Sequence, residues 1–257
     1  MRRLAALSTA ALVLVPASAG AGTTRPPLGL TATPAHVVLL GSSRATVRVS
    51  NPGLNPVVVD IGRSGFSLDL RGRPKIVARG DRRAAAAWLT VSPARFVVGG
   101  GASRFLTVAS RLPRSLAPGD YDALVLLTTR PRRSAGVAVG MRIGIVVVVR
   151  APGRIVRRIA LGRLRVRRHR GVRVIELDVA NRGNVTESVD RGNVRLTLRR
   201  GPAVAQVRAD PRAVRPGTGG IVQFRYRGPL TGWITATARI ALEAGRAPVV
   251  RTYRVKL

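Results

Sequence analysis

Two stretches of this chain share one local grammar. Arg48 to Asp60 reads RVSNPGLNPVVVD, and Leu177 to Asp190 reads LDVANRGNVTESVD. Each is a run of alternating apolar and polar residues that meets Asn-x-Gly, followed by a polar patch and more chain of extended character. Other landmarks repeat in the same order. Pro93 answers to Pro211, and the turn Gly119-Asp120-Tyr121 answers to Gly232-Trp233. The spacing shrinks along the chain, as it does when the first copy carries longer loops. A pattern written twice with turn signals every few residues predicts two copies of one β-domain, each of about seven short strands.

The alternation assigns faces. Ala45, Val47 and Val49 share one face of the first strand, and Ile175, Leu177 and Val179 share one face of its counterpart. Pro52-Gly53 suits the centre of a type II turn, with Gly53 at positive φ. Ile143 to Arg150, IGIVVVVR, is rich in β-branched residues without alternation, so part of it is expected to be buried on both faces. Trp88, Phe105, Tyr121 and Trp233 stand at strand starts, where core packing is the expected role rather than a sugar-binding platform.

The fold class expected is all-β, two tandem immunoglobulin-like β-sandwich domains behind a signal peptide. MRR followed by LAALSTAALVLV and PASAGAG gives the charged, apolar and cleavable regions of an export signal, residues 1–21. The first sandwich is expected over 28–150, a linker over 151–158 (APGRIVRR), and the second sandwich over 159–257. No further membrane segment is expected in the mature chain, because the longest apolar run, Val137 to Val149, is short and holds Arg142. The 257 residues contain no Cys, so both cores must stand without disulfides. The export style is bacterial.

The turn and strand patterns resemble known families. SNPG, the Trp followed by VSP, the Gly-rich corner and LPRSLAPGDYDALVLL resemble the periplasmic, pilus-chaperone type of immunoglobulin-like domain. LDVANRGNV with GNVRLTL and PRAVRPGTGG resembles the second domain of the WxL-interacting surface proteins. These resemblances imply a secreted two-domain fold and a binding role, either to cell-wall material and a surface protein or to a pilus subunit. The basic pair by which pilus chaperones hold a client's C-terminal carboxylate has no matching motif here.

Candidate chemistry is sparse, and the chain is read as not an enzyme. Eleven acids and two histidines, His36 and His169, leave no nucleophile–base pair and no metal-ligand spacing. Asp120 and Asp122 flank Tyr121 and are expected to point into solvent beside a turn. VVGGGAS at 97–103 lacks the Lys and helix of a phosphate loop, and reads as a strand corner. Asn184-Val185-Thr186 fits a glycosylation acceptor only where a compartment reads it. No cofactor is expected.

Charge is the remaining signal. Lys and Arg total 45 against 11 acids, a net of +34, and only Lys75 and Lys256 are lysines. GC-rich coding is one explanation of arginine over lysine, selection is the other, and coding does not explain the scarcity of acids. Such a charge draws anionic partners through a salt-screened field. Arg154, Arg157, Arg158, Arg163, Arg165, Arg167 and Arg168 are the candidate contacts, with Arg163, Arg165 and Arg167 on one face of a strand. The expected partner is an anionic cell-envelope polymer or a surface protein, at an exported, periplasmic or cell-surface location. Specific nucleic-acid binding is not expected, since aromatics are 4% and claimed by cores. The alternative is a chaperone-like protein that lends an edge strand to an exported subunit.

Overall fold

The computed structural model describes residues 29–77, 83–130, 140–190, 192–243 and 247–257, so the export signal lies outside the described residues. The first unit contains β1 (Thr31–Thr33), β2 (His36–Leu40), β3 (Arg44–Ser50), β4 (Val57–Leu68), β5 (Pro74–Val77), β6 (Leu89–Ser92), β7 (Arg95–Val98), β8 (Ser103–Ser110), β9 (Gly119–Thr129) and β10 (Arg142–Ala151). One sheet runs β1-β3-β8-β6. The facing sheet runs β2-β10-β9-β4-β5, with β7 also on β4. Between them lies a core that includes Val47, Val49, Leu106, Val108, Val125, Leu127, Ile145 and Val147, all fully buried.

The second unit contains β11 (Ile159–His169), β12 (Val172–Asn181), β13 (Glu187–Val189), β14 (Val194–Arg200), β15 (Ala203–Arg208), β16 (Arg212–Val214), β17 (Gly219–Tyr226), β18 (Trp233–Ile240) and β19 (Val249–Lys256). Its sheets run β11-β12-β17 and β15-β14-β18-β19, with β13 on β16. A separate core fills them, built on Ile175, Leu177, Leu196, Leu198, Phe224 and Ile240. The protein is therefore all-β, two sandwiches in tandem. More than seven strands appear per unit because single runs break where the chain changes sheet. After β1, Pro34 offers no N–H to a ladder, and β1 pairs antiparallel with β3 whereas β2 pairs parallel with β10.

The alternation places side chains as expected on β3 and β12. In β10, Val147, Val148 and Val149 are all buried, so this stretch is covered on both faces. Three local expectations fail. Gly53 does not have positive φ. Instead its N–H donates to Asn51 Oδ1 at 3.0 Å, a turn closed by the side chain. Tyr121 is buried and Trp88 packs on it at 5.0 Å between ring centroids. Phe105 and Trp233, however, are 66% and 58% exposed. Strand parity decides this for Phe105, whose neighbours Leu106 and Arg104 must lie on the opposite face, and Leu106 holds the core.

Candidate functional site: a half-open edge beside a locked seam

One strand inside the first sandwich, β10, is covered on one side for only part of its length. Along its whole length it pairs with β9, from Arg142 opposite Thr128 to Ala151 opposite Gly119. On its other side β2 covers only Val146 to Arg150. The stretch Arg142–Ile145 has no strand on that side among the described residues. The cause is the change of sheet at Pro34-Ala35: the Ala35 carbonyl accepts from Val146 N at 3.0 Å, and there the cover ends. On the outward face of the covered stretch, β2 carries apolar side chains. Val38 and Leu40 are 45% and 65% exposed. Leu126 and Val146 are half-buried.

The other end of β10 is bolted to the second sandwich. Asp120, fully buried, accepts Arg150 Nε at 2.7 Å and Nη2 at 3.0 Å, a two-pronged ion pair. Its Oδ2 also accepts the Thr186 N–H at 2.7 Å. This carboxylate, by hydrogen bond and charge, pushes the Arg150 guanidinium above its ordinary value, against the opposing pull of burial. Asp122, equally buried, pairs with Arg215 from the second unit. Arg215 Nη1 donates to the Phe66 carbonyl at 2.8 Å, and its guanidinium lies 5.1 Å from the Phe66 ring centroid. The two acids expected in solvent are thus the buried anchors of a seam between domains. In a chain so rich in arginine, an acid inside a strand is worth burying only if cations enclose it.

Asn184 completes the seam. Its Nδ2 donates to the carbonyls of Pro118 at 3.0 Å and Arg154 at 2.8 Å, and its Oδ1 accepts Val156 N at 2.7 Å. Its own carbonyl accepts Asp120 N at 2.8 Å. Gly119, at φ +127°, has to be Gly, since a Cβ there would stand 2.2 Å from the Asn184 oxygen. The Asn184 amide is therefore fully engaged. Farther along, Leu70 O accepts Ile221 N at 2.7 Å and Arg212 Nη1 at 2.7 Å, so the β4–β5 turn also grips the second sandwich. Burial pushes the Arg212 guanidinium down.

The seven candidate arginines are not gathered into one cationic surface. Arg154 and Arg158 are exposed in the segment between β10 and β11. Arg157 turns inward to Glu187 at 2.9 Å, whose carboxyl is nonetheless pushed up by burial. Arg163, Arg165 and Arg167 share the outward face of β11, but Arg165 pairs with Asp178 at 2.6 Å and Arg167 with Glu176 at 3.0 Å. Arg168 is exposed near the hairpin end. Of the histidines, His36 is exposed at the start of β2, and the side chain of His169 lies outside the described residues. Among the described residues no three His, Asp or Glu group as metal ligands, and no helix is long and apolar enough to cross a membrane. Gly99–Gly101 make a corner, where a Cβ on Gly100 would stand 1.9 Å from the Leu54 carbonyl.

No protein-family model matches this chain, and no curated protein matches it. Among solved structures it is similar to periplasmic pilus chaperones. A chaperone–tip adhesin complex of CFA/I fimbriae biogenesis superposes with a TM-score of 0.50 at 11% identity, covering 87% of this chain and 98% of that one. The E. coli chaperone DraB gives a TM-score of 0.47 at 16% identity, with 90% and 98% covered. The CsuC–CsuE chaperone–tip adhesion subunit complex of Acinetobacter baumannii gives 0.46 at 13%, with 87% and 97% covered. The first of these, at its low identity, establishes likeness of fold: a two-domain immunoglobulin-like β-sandwich of the kind seen in pilus chaperones.

Proposed function

We propose that the protein is an exported, non-enzymatic chaperone-like protein that takes an extended segment of another exported protein onto the open edge of β10. The observation that carries this reading is the half-covered strand, Arg142–Ile145, lying in line with a strand that the chain itself covers and anchors at Arg150. Main-chain pairing supplies affinity, and the half-buried Leu126 and Val146 beside this edge sort side chains. The seam through Asp120 and Asp122 anchors the opposite end of β10 to the second sandwich. The pilus-chaperone likeness of fold, with the export signal expected over residues 1–21, supports a periplasmic or cell-surface setting, with a surface subunit as the partner. An anionic envelope polymer at the β11 arginines is the weaker reading, because acids on β12 already neutralise Arg165 and Arg167.

A photo-crosslinking residue placed at Arg142, and a second at Thr90 on the other sheet, tests the proposal in the native host. An adduct to an exported protein that forms from position 142 but not from 90, and persists at high salt, is the expected result. Adducts from both positions, or adducts that vanish with salt, overturn it.

A further inference from the structure

The outward face of the sheet β15-β14-β18-β19 is a cationic grid. Register places Arg195 directly opposite Arg208 on one side and Arg239 on the other. Two residues along the strands, Gln206, Thr197, Thr237 and Thr252 form a row, and beyond it Arg199 and Arg254 flank Thr235. Lys256 lies opposite Trp233, the indole being 58% exposed with the Arg254 guanidinium 5.4 Å from its ring. All six cations are exposed, and none is in an ion pair among the described residues. No outward position of this sheet carries an acid.

Directly opposed like charges destabilise a sheet, so three arginines abreast are a cost that the fold bears without internal relief. The other sheet of the same sandwich shows that acids are placed where relief is given: Arg165 meets Asp178, Arg167 meets Glu176 and Arg225 meets Asp210. A coding bias toward arginine acts on both sheets alike and does not sort acids onto one of them. We infer that this face binds an extended, hydroxyl-rich polymer bearing regularly spaced anionic groups, laid across the strands. Strands stand about 4.8 Å apart, so the row Arg208–Arg195–Arg239 spans about 10 Å, wide enough for guanidinium forks to engage successive phosphate, sulfate or carboxylate groups. The hydroxyl and amide row between the cationic rows matches sugar or polyol hydroxyls. A lipid surface would demand apolar side chains there, and the exposed ones, Val204, Val250 and Trp233, sit instead at the borders of the grid. This face is on a different sheet, in a different sandwich, from the β10 edge, and it stands or falls independently of the strand-pairing reading.

The test compares two triple variants of the intact protein with equal charge removed: R195S/R208S/R239S on this face and R163S/R165S/R167S on β11. Binding to dextran sulfate is measured across a salt series, with neutral dextran and phosphatidylglycerol vesicles as the other arms. The first variant is expected to weaken dextran sulfate binding by at least about tenfold and flatten its salt dependence, the second by no more than about twofold. The first variant is also expected to melt higher than the unaltered protein at low salt, which excludes misfolding as the cause of lost binding. Equal losses from both variants, undiminished binding by the first, equal binding to neutral dextran, or a loss confined to the vesicles each overturn the assignment.

Discussion

The two Asn-x-Gly turns perform the same local task in different surroundings. Asn51 and Asn181 are both buried at strand ends, and each side chain holds the chain that follows. Asn51 Nδ2 donates to the carbonyls of Asn55, Val98 and Gly99 at 2.7, 3.2 and 3.2 Å. Asn181 Nδ2 donates to Val185 and Val214 at 2.8 Å each. Both accept the N–H of the glycine two residues on, Gly53 or Gly183. The first turn then faces only its own sandwich, where Gly53 O accepts Gly101 N at 2.9 Å. The second continues into Asn184 and touches Pro118, Asp120, Arg154 and Val156. A motif that closes one domain in the first copy joins two domains in the second. What differs is the residue after the glycine: Leu54, 79% exposed, against Asn184.

The largest effect that would break this comparison is at the seam. Asp122→Ala strands the Arg215 guanidinium, and removal of one partner from a buried pair costs about 3–5 kcal/mol. Calorimetry is expected to show the loss together with two separated unfolding transitions; a single transition at the original temperature would mean the domains do not stabilise each other. Next comes the contrast between glycines. A Cβ on Gly183 would meet the Val156 carbonyl at 2.3 Å, whereas on Gly53 it meets the Asn51 Oδ1 at 3.1 Å. Gly183→Ala should therefore cost about 1–3 kcal/mol by overpacking against backbone, and Gly53→Ala clearly less. Equal denaturation midpoints for the two would erase the asymmetry.

The smallest effect concerns pH. Burial raises the Glu187 carboxyl above its ordinary range, so between the ordinary and the raised value the folded chain binds a proton that the unfolded chain has lost. Ionised Glu187 then opposes folding fully above the raised value, and not at all below the ordinary one. Glu187→Gln is expected to gain on the unaltered protein as pH rises from acid toward neutral, and the partly solvated Arg157 keeps that gain small. Melting curves that keep a constant gap across that range would contradict the shift.

The sandwiches were legible because period-two alternation and turn residues are local signals: Val47 with Val49, and Val222 with Phe224, declare their face within a few positions. The seam was not legible. Asp122 and Arg215 are 93 residues apart, and with 45 cations in the chain no pairing can be read from composition. The available clue was burial by context, two acids set within GDYDALVLL, a strand otherwise apolar. The candidate arginines of β11 were correctly alternating, but alternation says nothing of the acids that register sets beside them. The grid of β14, β18 and β19 arises the same way, since VRLTLRR, WITATARI and VVRTYRVK become one surface only when three strands are placed abreast.

The change of sheet at Pro34-Ala35 makes β2 a measuring stop. A visiting strand that adds to β10 from the Arg142 side can advance as far as Ile145 before it abuts the chain's own strand at His36, opposite Val146. That is about 13 Å of ladder over four residues. The length of the grip on that side is written into where the protein covers itself.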